Sequence, residues 1–290
     1  MVFLSHLIYG LQLGAIYALV ALGYSMVYGI IRLINFAHGD IIMVASFVVW
    51  YLIARLNVPV WLSILICVAF TSLLGVAIEK LAYKPLRHSA RISLLITAIG
   101  ISFFLQNAAQ LIFGADPVMF ENLFPGNLSL GALTVLRVSV IIICVSIVLM
   151  IALVLLVNKT RMGRAMRAVS EDESTAALMG INVNTTISFA FALGSALAAV
   201  AAILYSCAYT QISPTMGGML GLKAFVAAVL GGIGSIPGAM LGGILIGICE
   251  TLTKAYISSS FADAIVFGIL IVVLIIRPSG LLGVKTKEKV

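Results

Sequence analysis

Uncharged apolar runs, each long enough to cross a lipid bilayer, constrain the fold more than any other feature. Residues 138–157, VSVIIICVSIVLMIALVLLV, contain no charged side chain. A helix of about 20 such residues spans the hydrocarbon core of a bilayer. Only 9% of the whole chain is charged, against about 25% in soluble domains. The fold class predicted is an all-α, polytopic integral membrane protein.

Eight apolar runs are the predicted hydrophobic spans. Their approximate bounds are 7–30, 39–55, 60–80, 92–114, 135–157, 186–209, 222–252 and 262–276. The run at 222–252 is interrupted by GGIGSIPG, Gly231–Gly238, so a Gly-rich broken or re-entrant segment is expected there. Residues 1–290 are predicted to form a single transmembrane domain, whose first run is retained rather than removed as a signal peptide.

Cations concentrate in three segments outside the spans. They are Lys80, Lys84, Arg87 and Arg91; Lys159, Arg161, Arg164 and Arg167; and Arg277, Lys285, Lys287 and Lys289. The 115–134 loop instead carries Asp116 and Glu121 and no cation. The positive-inside rule places the basic segments and the C-terminus in the cytoplasm and the N-terminus in the periplasm. Topology thus accounts for the net charge of +7, and no nucleic-acid partner is expected.

The last third of the chain needs an odd number of crossings, yet it holds only two apolar runs. Two arrangements resolve this conflict. In one, 222–252 enters and returns to the same side, turning at Gly231–Gly238; in the other, it crosses twice as two short helices. We favour the first arrangement. Non-helical backbone at membrane depth is tolerated where it lines a cavity, so Gly231, Gly234 and Gly238 are candidate pathway residues.

The segment 158–185 holds a quarter of all the charge and is predicted to be a cytoplasmic loop. Arg161, Arg164 and Arg167 recur every three residues, which indicates a basic amphipathic segment at the membrane surface, near lipid headgroups. Ser170 and Glu173 have the spacing of a capping box, and Gly180 is placed to stop a helix. A short helix capped at both ends is therefore expected, with Glu171, Asp172 and Glu173 in its first turn.

Polar side chains within spans mark candidate pathway or gating positions, because such groups are costly in a bilayer. They are Asn35, His38 and Asp40 near the start of the second span, and Gln106, Asn107 and Gln110 on one face of the fourth. A helix cap and interhelical hydrogen bonding are the structural alternatives. Lys223 and Glu250 bound the interrupted run, and both are predicted at the outer interface, with Lys223 snorkelling to headgroups.

Faces of small residues indicate close helix packing. Gly10, Gly14 and Ala18 form one such face, Gly234, Gly238 and Gly242 a second, and Gly243 with Gly247 adds another register.

Motifs for chemistry are missing from the sequence. It contains no G-x-x-x-x-G-K-[ST], no H-E-x-x-H and no G-x-S-x-G, so neither ATP binding by a P-loop nor enzymatic activity is expected. The four cysteines lie in apolar runs without metal-ligand spacing, and we predict no metal and no cofactor. The sequence also shows no carboxylate beside an ammonium group, the pair that would hold a zwitterion.

Four separated blocks carry a resemblance to a known family. They are Gly10–Asp40, Thr160–Val183, Ala228–Gly243 and Arg277–Gly283. Together, and in this order, they resemble the LivH-type permease subunits of bacterial high-affinity branched-chain amino acid ABC transporters. The resemblance implies a multi-pass protein of the bacterial inner membrane, a second homologous permease, two cytoplasmic ATP-binding subunits and a periplasmic amino-acid-binding protein.

The resemblance also implies that the segment 173–180 is the helix that docks on an ATPase. Its predicted residues are Ser170, Glu173, Ala176, Ala177 and Gly180. The general importer motif, Glu-Ala-Ala-x3-Gly, is matched only in part, because Gly180 follows Ala176-Ala177 after two residues. Two other interpretations remain open: the same architecture importing urea, short amides or another small polar solute, and a self-sufficient channel or secondary transporter.

Overall fold

Helices make up most of the computed structural model, which describes residues 2–31, 34–87, 89–130 and 133–283. The tail lysines Lys285, Lys287 and Lys289 lie outside the described residues. The helices are α1 Val2–Ile31, α2 His38–Ala54, α3 Val60–Ile78, α4 Lys84–Leu86, α5 Arg91–Phe113, α6 Arg137–Lys159, α7 Arg161–Glu171, α8 Glu173–Leu178, α9 Val183–Ala208, α10 Met216–Gly231, α11 Ile236–Tyr256 and α12 Ala262–Ile276. A π-helical turn, Glu79–Tyr83, joins α3 to α4, and a 3-10 turn, Ser259–Phe261, precedes α12.

Every predicted span corresponds to a helix. Seven helical segments in the described part of the chain are long and apolar enough to cross a membrane, and α2 and α10 are shorter apolar helices. The prediction of a polytopic all-α protein is therefore confirmed. The described residues form nine apolar helical segments where eight runs were predicted, because the interrupted run forms both α10 and α11.

The bundle has two chemically different ends. The basic end comprises residues 79–87, 159–182 and 277–283, which hold the described cations of the predicted basic segments except Arg91, the first residue of α5. The opposite end comprises residues 113–130, 133–136, 209–215 and 256–261. There, β1 Val118–Met119 pairs antiparallel with β4 Gln211–Ile212, and β2 Asn127–Leu130 with β3 Leu133–Leu136. The rings of Phe3 and Tyr256 lie 6.4 Å apart, so the start of α1 belongs to the opposite end.

Small residues bring α1 and α11 into backbone contact. Gly14 packs on Ile244 of α11, and Gly243 packs on Ala18 of α1. A methyl group added at any of several of these glycines would collide with backbone atoms, so no larger residue fits. The face that contains Gly242 has a different partner, because Gly242 packs against Ala227 of α10. The predicted close packing of α1 with the Gly243–Gly247 face is confirmed, whereas Gly234 lies in the turn before α11 and belongs to no helix face. α11 thus uses one face for α1 and another for α10.

The Gly-rich break is a turn at the basic end. Gly232 and Gly234 have positive φ angles of 108° and 87°, and Ser235 caps α11 by accepting from the Gly238 N–H. The turn lies beside Gly29, in the last turn of α1. The backbone N–H groups of Leu281 and Leu282 donate to Leu230 and Gly231 at 2.9 Å. The structure therefore corrects our preference: the run forms two helices that meet at an end of the bundle, rather than turning halfway.

The N-terminus of α2 lies inside the bundle rather than at its surface. His38 contacts Gly23 of α1, which itself packs against Gly194. Gly194 is 11 residues beyond Val183, the start of α9, a rise of roughly 16 Å. Gly39 packs on Gly217, so the first turns of α2 and α10 meet in the interior. Polar groups at these two helix starts are thus placed where a pathway could reach them.

Candidate functional site

The basic loop folds into two short helices. α7 is capped by Thr160, whose side chain accepts from the Gly163 N–H at 3.0 Å. Its buried face contains Gly163, Met166 and Val169, while its cationic face points away from the bundle. The predicted basic amphipathic segment is therefore a helix lying across the basic end.

The predicted capping box is wrong, and Asp172 is the residue that caps α8. Its side chain accepts from the Thr175 N–H at 2.7 Å and from the Ser174 hydroxyl at 2.6 Å. These hydrogen bonds hold the pKa of Asp172 below its usual value. Ser170 cannot cap because α7 continues through Glu171, so its backbone is helical and its hydroxyl donates to the Arg167 carbonyl. Only Glu173 of the three predicted acids lies in the first turn of α8.

Gly180 ends α8 as predicted. Its φ is +82°, a left-handed conformation that glycine adopts without a steric penalty. The Ile181 and Gly180 N–H groups donate to the carbonyls of Ala176 and Ala177, the pair of bonds that defines a Schellman motif. Ala176 is buried and Ala177 is exposed.

The last turn of α8 presents apolar side chains to the outside. Leu178 is 87% exposed and Met179 is 78% exposed. None of the described residues covers them, and they stand at the basic end.

Arg87 ties α8 to the membrane helices. Its guanidinium lies 3.0 Å from Glu79 and 3.5 Å from Glu173, and it donates to Asn184 at 3.1 Å. Glu79 is buried, opens the π-helical turn and accepts from Ser188 of α9 at 2.7 Å. Sequence reasoning missed this network, because Arg87 and Glu173 are 86 residues apart and no local pattern relates them.

Asn35 and His38 lie in the interior. The Asn35 side-chain oxygen accepts from the Tyr83 hydroxyl at 2.8 Å and from the Ala37 N–H at 3.1 Å. His38 packs edge-on against Tyr24, with ring centroids 4.8 Å apart. Within the part of the chain described, the Asn35 amide nitrogen and His38 Nε2 are buried without a hydrogen-bond partner. Buried polar atoms without partners are unusual in folded proteins.

Asp40 is 1% exposed and is held by two neutral donors. Gln106 Nε2 donates to its Oδ1 at 2.9 Å, and the Ser102 hydroxyl donates to Oδ2. The carboxylate lines a cavity of about 220 Å³. The cavity lies between α1, α2, α5 and α10, and its lining residues are Tyr24, Phe36, Asp40, Ile99, Ser102, Gly218, Leu222 and Phe225.

The three polar residues of the fourth span do not act as one set. Gln106 connects its helix to α2 by donating a hydrogen bond to Asp40. Asn107 is exposed and donates to the Phe103 carbonyl of its own helix at 2.7 Å. Gln110 is half-buried. Of the candidate glycines, Gly234 lies in the turn at the basic end, and Gly231 and Gly238 lie in the helices on either side of it. None of the three lines the Asp40 cavity.

Lys223 and Glu250 form a buried ion pair. Their side chains lie 2.8 Å apart, Glu250 is 1% exposed, and Lys254 and the Tyr17 hydroxyl also bind it, at 2.6 and 2.8 Å. Lys223 in turn lies 2.6 Å from Asp263. The predicted snorkelling of Lys223 is therefore wrong, because two carboxylates satisfy its ammonium inside the protein. The same network supplies the adjacent carboxylate and ammonium that the sequence does not display.

Comparison with known proteins adds three findings. Residues 6–274 match the family model of the permease component of branched-chain amino acid transport systems. The chain is 44% identical over 301 residues to the high-affinity branched-chain amino acid transport system permease protein LivH of Escherichia coli K12, covering 99% of this chain and 98% of that protein. It is 43% identical, with the same coverage, to the permease protein BraD of Pseudomonas aeruginosa.

A solved structure shares the fold. PsaBC from Streptococcus pneumoniae, in complex with Fab, superposes with a TM-score of 0.50 at 15% sequence identity, over 96% of this chain and 93% of that one. This likeness concerns the fold alone. The family match and the relatives show more: the chain belongs to the permease components of branched-chain amino acid transport systems.

Proposed function

We propose that this permease forms the pathway by which an ABC importer carries leucine, isoleucine and valine across the inner membrane. The relatives that match along nearly the whole chain are high-affinity branched-chain amino acid permeases, which favours these cargoes over urea and short amides. Like those relatives, the chain is a transport subunit, and the energy comes from ATP hydrolysis on partner subunits.

The exposed end of α8 is the observation that supports docking by an ATP-binding subunit. Leu178 and Met179 are apolar and largely exposed at the tip of a six-residue helix. A partner of matching chemistry removes this surface from water, a favourable process of about 25 cal/mol per Å². We identify the partner as a cytoplasmic ATP-binding subunit, and the coupling helix as Glu173, Ala176, Ala177 and Gly180 with its true cap, Asp172.

Arg87 gives the coupling helix a route into the bundle. When an ATP-binding subunit moves α8, the Glu173–Arg87–Glu79 chain of contacts transmits the displacement to the π-helical turn. Tyr83 of that turn binds Asn35, which precedes α2. Extra residues in a helical turn are frequent at functional sites. The residues Asn35, His38 and Asp40 are therefore proposed to respond to docking as the inner part of the pathway.

The orientation follows from charge. The basic end faces the cytoplasm, as the positive-inside rule requires; the N-terminus lies at the opposite end, in the periplasm. The periplasmic amino-acid-binding protein then docks on the strands and loops of the opposite end. A second homologous permease completes the pathway, and lipid covers the remaining apolar faces. The glycine turn around Gly231, Gly234 and Gly238 stands at the cytoplasmic mouth.

A matched pair of substitutions tests the docking surface. Leu178→Ala and Leu81→Ala remove the same side chain from positions that are 87% and 80% exposed at the basic end. We expect Leu178→Ala to lower the amount of ATP-binding subunit that copurifies with the permease by about tenfold, and Leu81→Ala to leave it unchanged. Equal losses from the two variants would reject α8 as the docking helix.

Uptake in cells tests the cargo. Labelled leucine at submicromolar concentration is supplied to cells lacking only this permease, with and without the restored gene, in a strain without a second leucine importer. High-affinity uptake should require the gene. Gene-dependent uptake of urea or a short amide, with leucine uptake unaffected, would instead support the alternative cargo.

A further inference from the structure

We propose that Asp40 and its cavity bind the ammonium group of a zwitterionic aliphatic amino acid in transit. This subsite rests on the proposed function and deepens it, because it assigns the recognition of the cargo's amino group to one side chain.

The charge of Asp40 is unbalanced. Among the described residues, no Lys, Arg or His nitrogen lies within 4.0 Å of its carboxylate; its donors are the neutral Ser102 and Gln106. A buried carboxylate without a cation is costly. The two donors hold the carboxylate in a fixed position, yet neither neutralises it. A bound ammonium group supplies the missing charge.

The rest of the cavity suits an aliphatic side chain. Phe36, Ile99, Leu222 and Phe225 provide apolar walls, and Tyr24 and Ser102 are the other lining residues that carry polar groups. Its volume of about 220 Å³ lies below the range of about 300–1,000 Å³ found for drug-sized ligands. The cavity therefore suits the amino group and the aliphatic side chain of a small amino acid.

Access to the cavity is from the outer surface of the chain. Ile99 of α5 is 41% exposed and Leu222 of α10 is 39% exposed, so the cavity opens between these two helices. In the proposed importer, this face borders the pathway shared with the second permease. Urea is neutral and would leave the Asp40 charge unpaired, whereas a carboxylate without an amino group would be repelled.

Binding to the purified permease–ATPase complex, without the binding protein, tests the chemistry. Labelled leucine is displaced by 3-methylbutylamine, which keeps the ammonium group, or by 4-methylpentanoate, which lacks it. We expect displacement by the amine alone. Asp40→Asn should weaken leucine binding by about tenfold or more, Asp40→Glu should retain part of it, and Asp116→Asn, in an exposed loop, should bind like wild type.

A second pair of variants keeps the proposal testable if Asp40→Asn fails to assemble. A Cβ atom added at Gly218 or Gly268 meets nothing within 4 Å, but only Gly218 lines the cavity. Gly218→Leu should abolish ATP-driven leucine uptake into proteoliposomes, and Gly268→Leu should preserve it. Equal uptake by the two variants overturns the subsite.

The outcomes separate this subsite from the function on which it rests. If the wild-type complex takes up leucine but Asp40→Asn binds and transports it equally well, the subsite is wrong and the function stands. The subsite is also wrong if 4-methylpentanoate displaces leucine as well as the amine does. It is wrong, too, if a complex that still transports leucine does not bind it. If the wild-type complex takes up urea and no leucine, the proposed function itself fails.

Discussion

Asp40 and Glu250 are both 1% exposed, yet their surroundings differ. Glu250 is bound by Lys223, Lys254 and the Tyr17 hydroxyl. Asp263 pairs with Lys223 and supplies the second negative charge of this network. Asp40 is bound by a hydroxyl and an amide. Both carboxylates line cavities, of about 190 Å³ for Glu250 and about 220 Å³ for Asp40. Glu250 belongs to a network whose formal charges sum to zero, whereas no cation among the described residues compensates the charge of Asp40.

The difference shows that burial alone does not identify a binding residue. Compensated charges need no further partner, and removing one of them leaves the others unsatisfied. An uncompensated buried charge lowers the stability of the protein when no ligand is bound. A cationic ligand that binds beside it removes this cost. We therefore assign the Glu250 network to stability and Asp40 to the cargo. Three substitutions test this assignment, from the largest expected effect to the smallest, and a fourth compares the exposed carboxylate of Asp172.

Glu250→Ala should destabilise the permease by about 3 kcal/mol, because it leaves Lys254 and part of Lys223 without a counter-charge. Thermal unfolding in detergent, followed by tryptophan fluorescence, measures the change. The double variant Lys223→Met with Glu250→Leu replaces the pair by apolar groups and should recover much of the loss. A stable Glu250→Ala permease with impaired leucine binding would reverse the assignment.

Tyr17→Phe should cost about 1 kcal/mol, since it removes one hydrogen bond to Glu250 while both lysines remain. The same unfolding measurement applies. Tyr28→Phe, on the same helix and outside this network, serves as the control. If the two variants unfold alike, the Tyr17 hydroxyl contributes nothing to the network.

Asp40→Asn should change stability by less than about 1 kcal/mol, and in the direction of greater stability, because it removes an unpaired buried charge. Its effect belongs instead to leucine binding. Unfolding temperatures of the variant and the wild type, each with and without leucine, separate the two quantities. A loss of stability as large as that of Glu250→Ala would make Asp40 a structural residue.

Asp172→Asn should have the smallest effect at neutral pH, because asparagine also caps helices well. Asp172 resembles Asp40 in accepting from two neutral donors, but it is exposed. Since folding lowers its pKa, the stabilisation is present at neutral pH and is lost as the pH falls through the lowered value. Hydrogen exchange of the α8 amides should show this loss in the wild type and not in Asp172→Asn; identical profiles would contradict it.

The sequence predicted features that depend on neighbours along the chain. Apolar length predicted the spans, and the Gly180 stop and the α1 packing face follow from spacing on one helix. The cap of α8 was wrong by two residues, because Ser170 and Asp172 are both good caps and the extent of α7 decided between them. Local pattern could not show that α7 continues through Glu171.

Features that depend on distant contacts were out of reach. Lys223 and Glu250 lie 27 residues apart on different helices, and Asp40 meets Gln106 across 66 residues. The sequence marks each of these polar residues as unusual within a span, but no local pattern indicates which of them are paired. The depth of the α2 start was equally hidden, since it depends on how the segment before His38 folds back beside Gly23 and Gly194.

The contact between α1 and α11 sets an order for biosynthesis. Tyr17 and Glu250 are 233 residues apart, and ribosomes add roughly 5–20 residues per second. The first helix is therefore made tens of seconds before α11, its main partner. Until then its small-residue face has to contact lipid or other helices. The α1–α11 contact therefore forms only after α11 has been made, and of the described α-helices only α12 is made later.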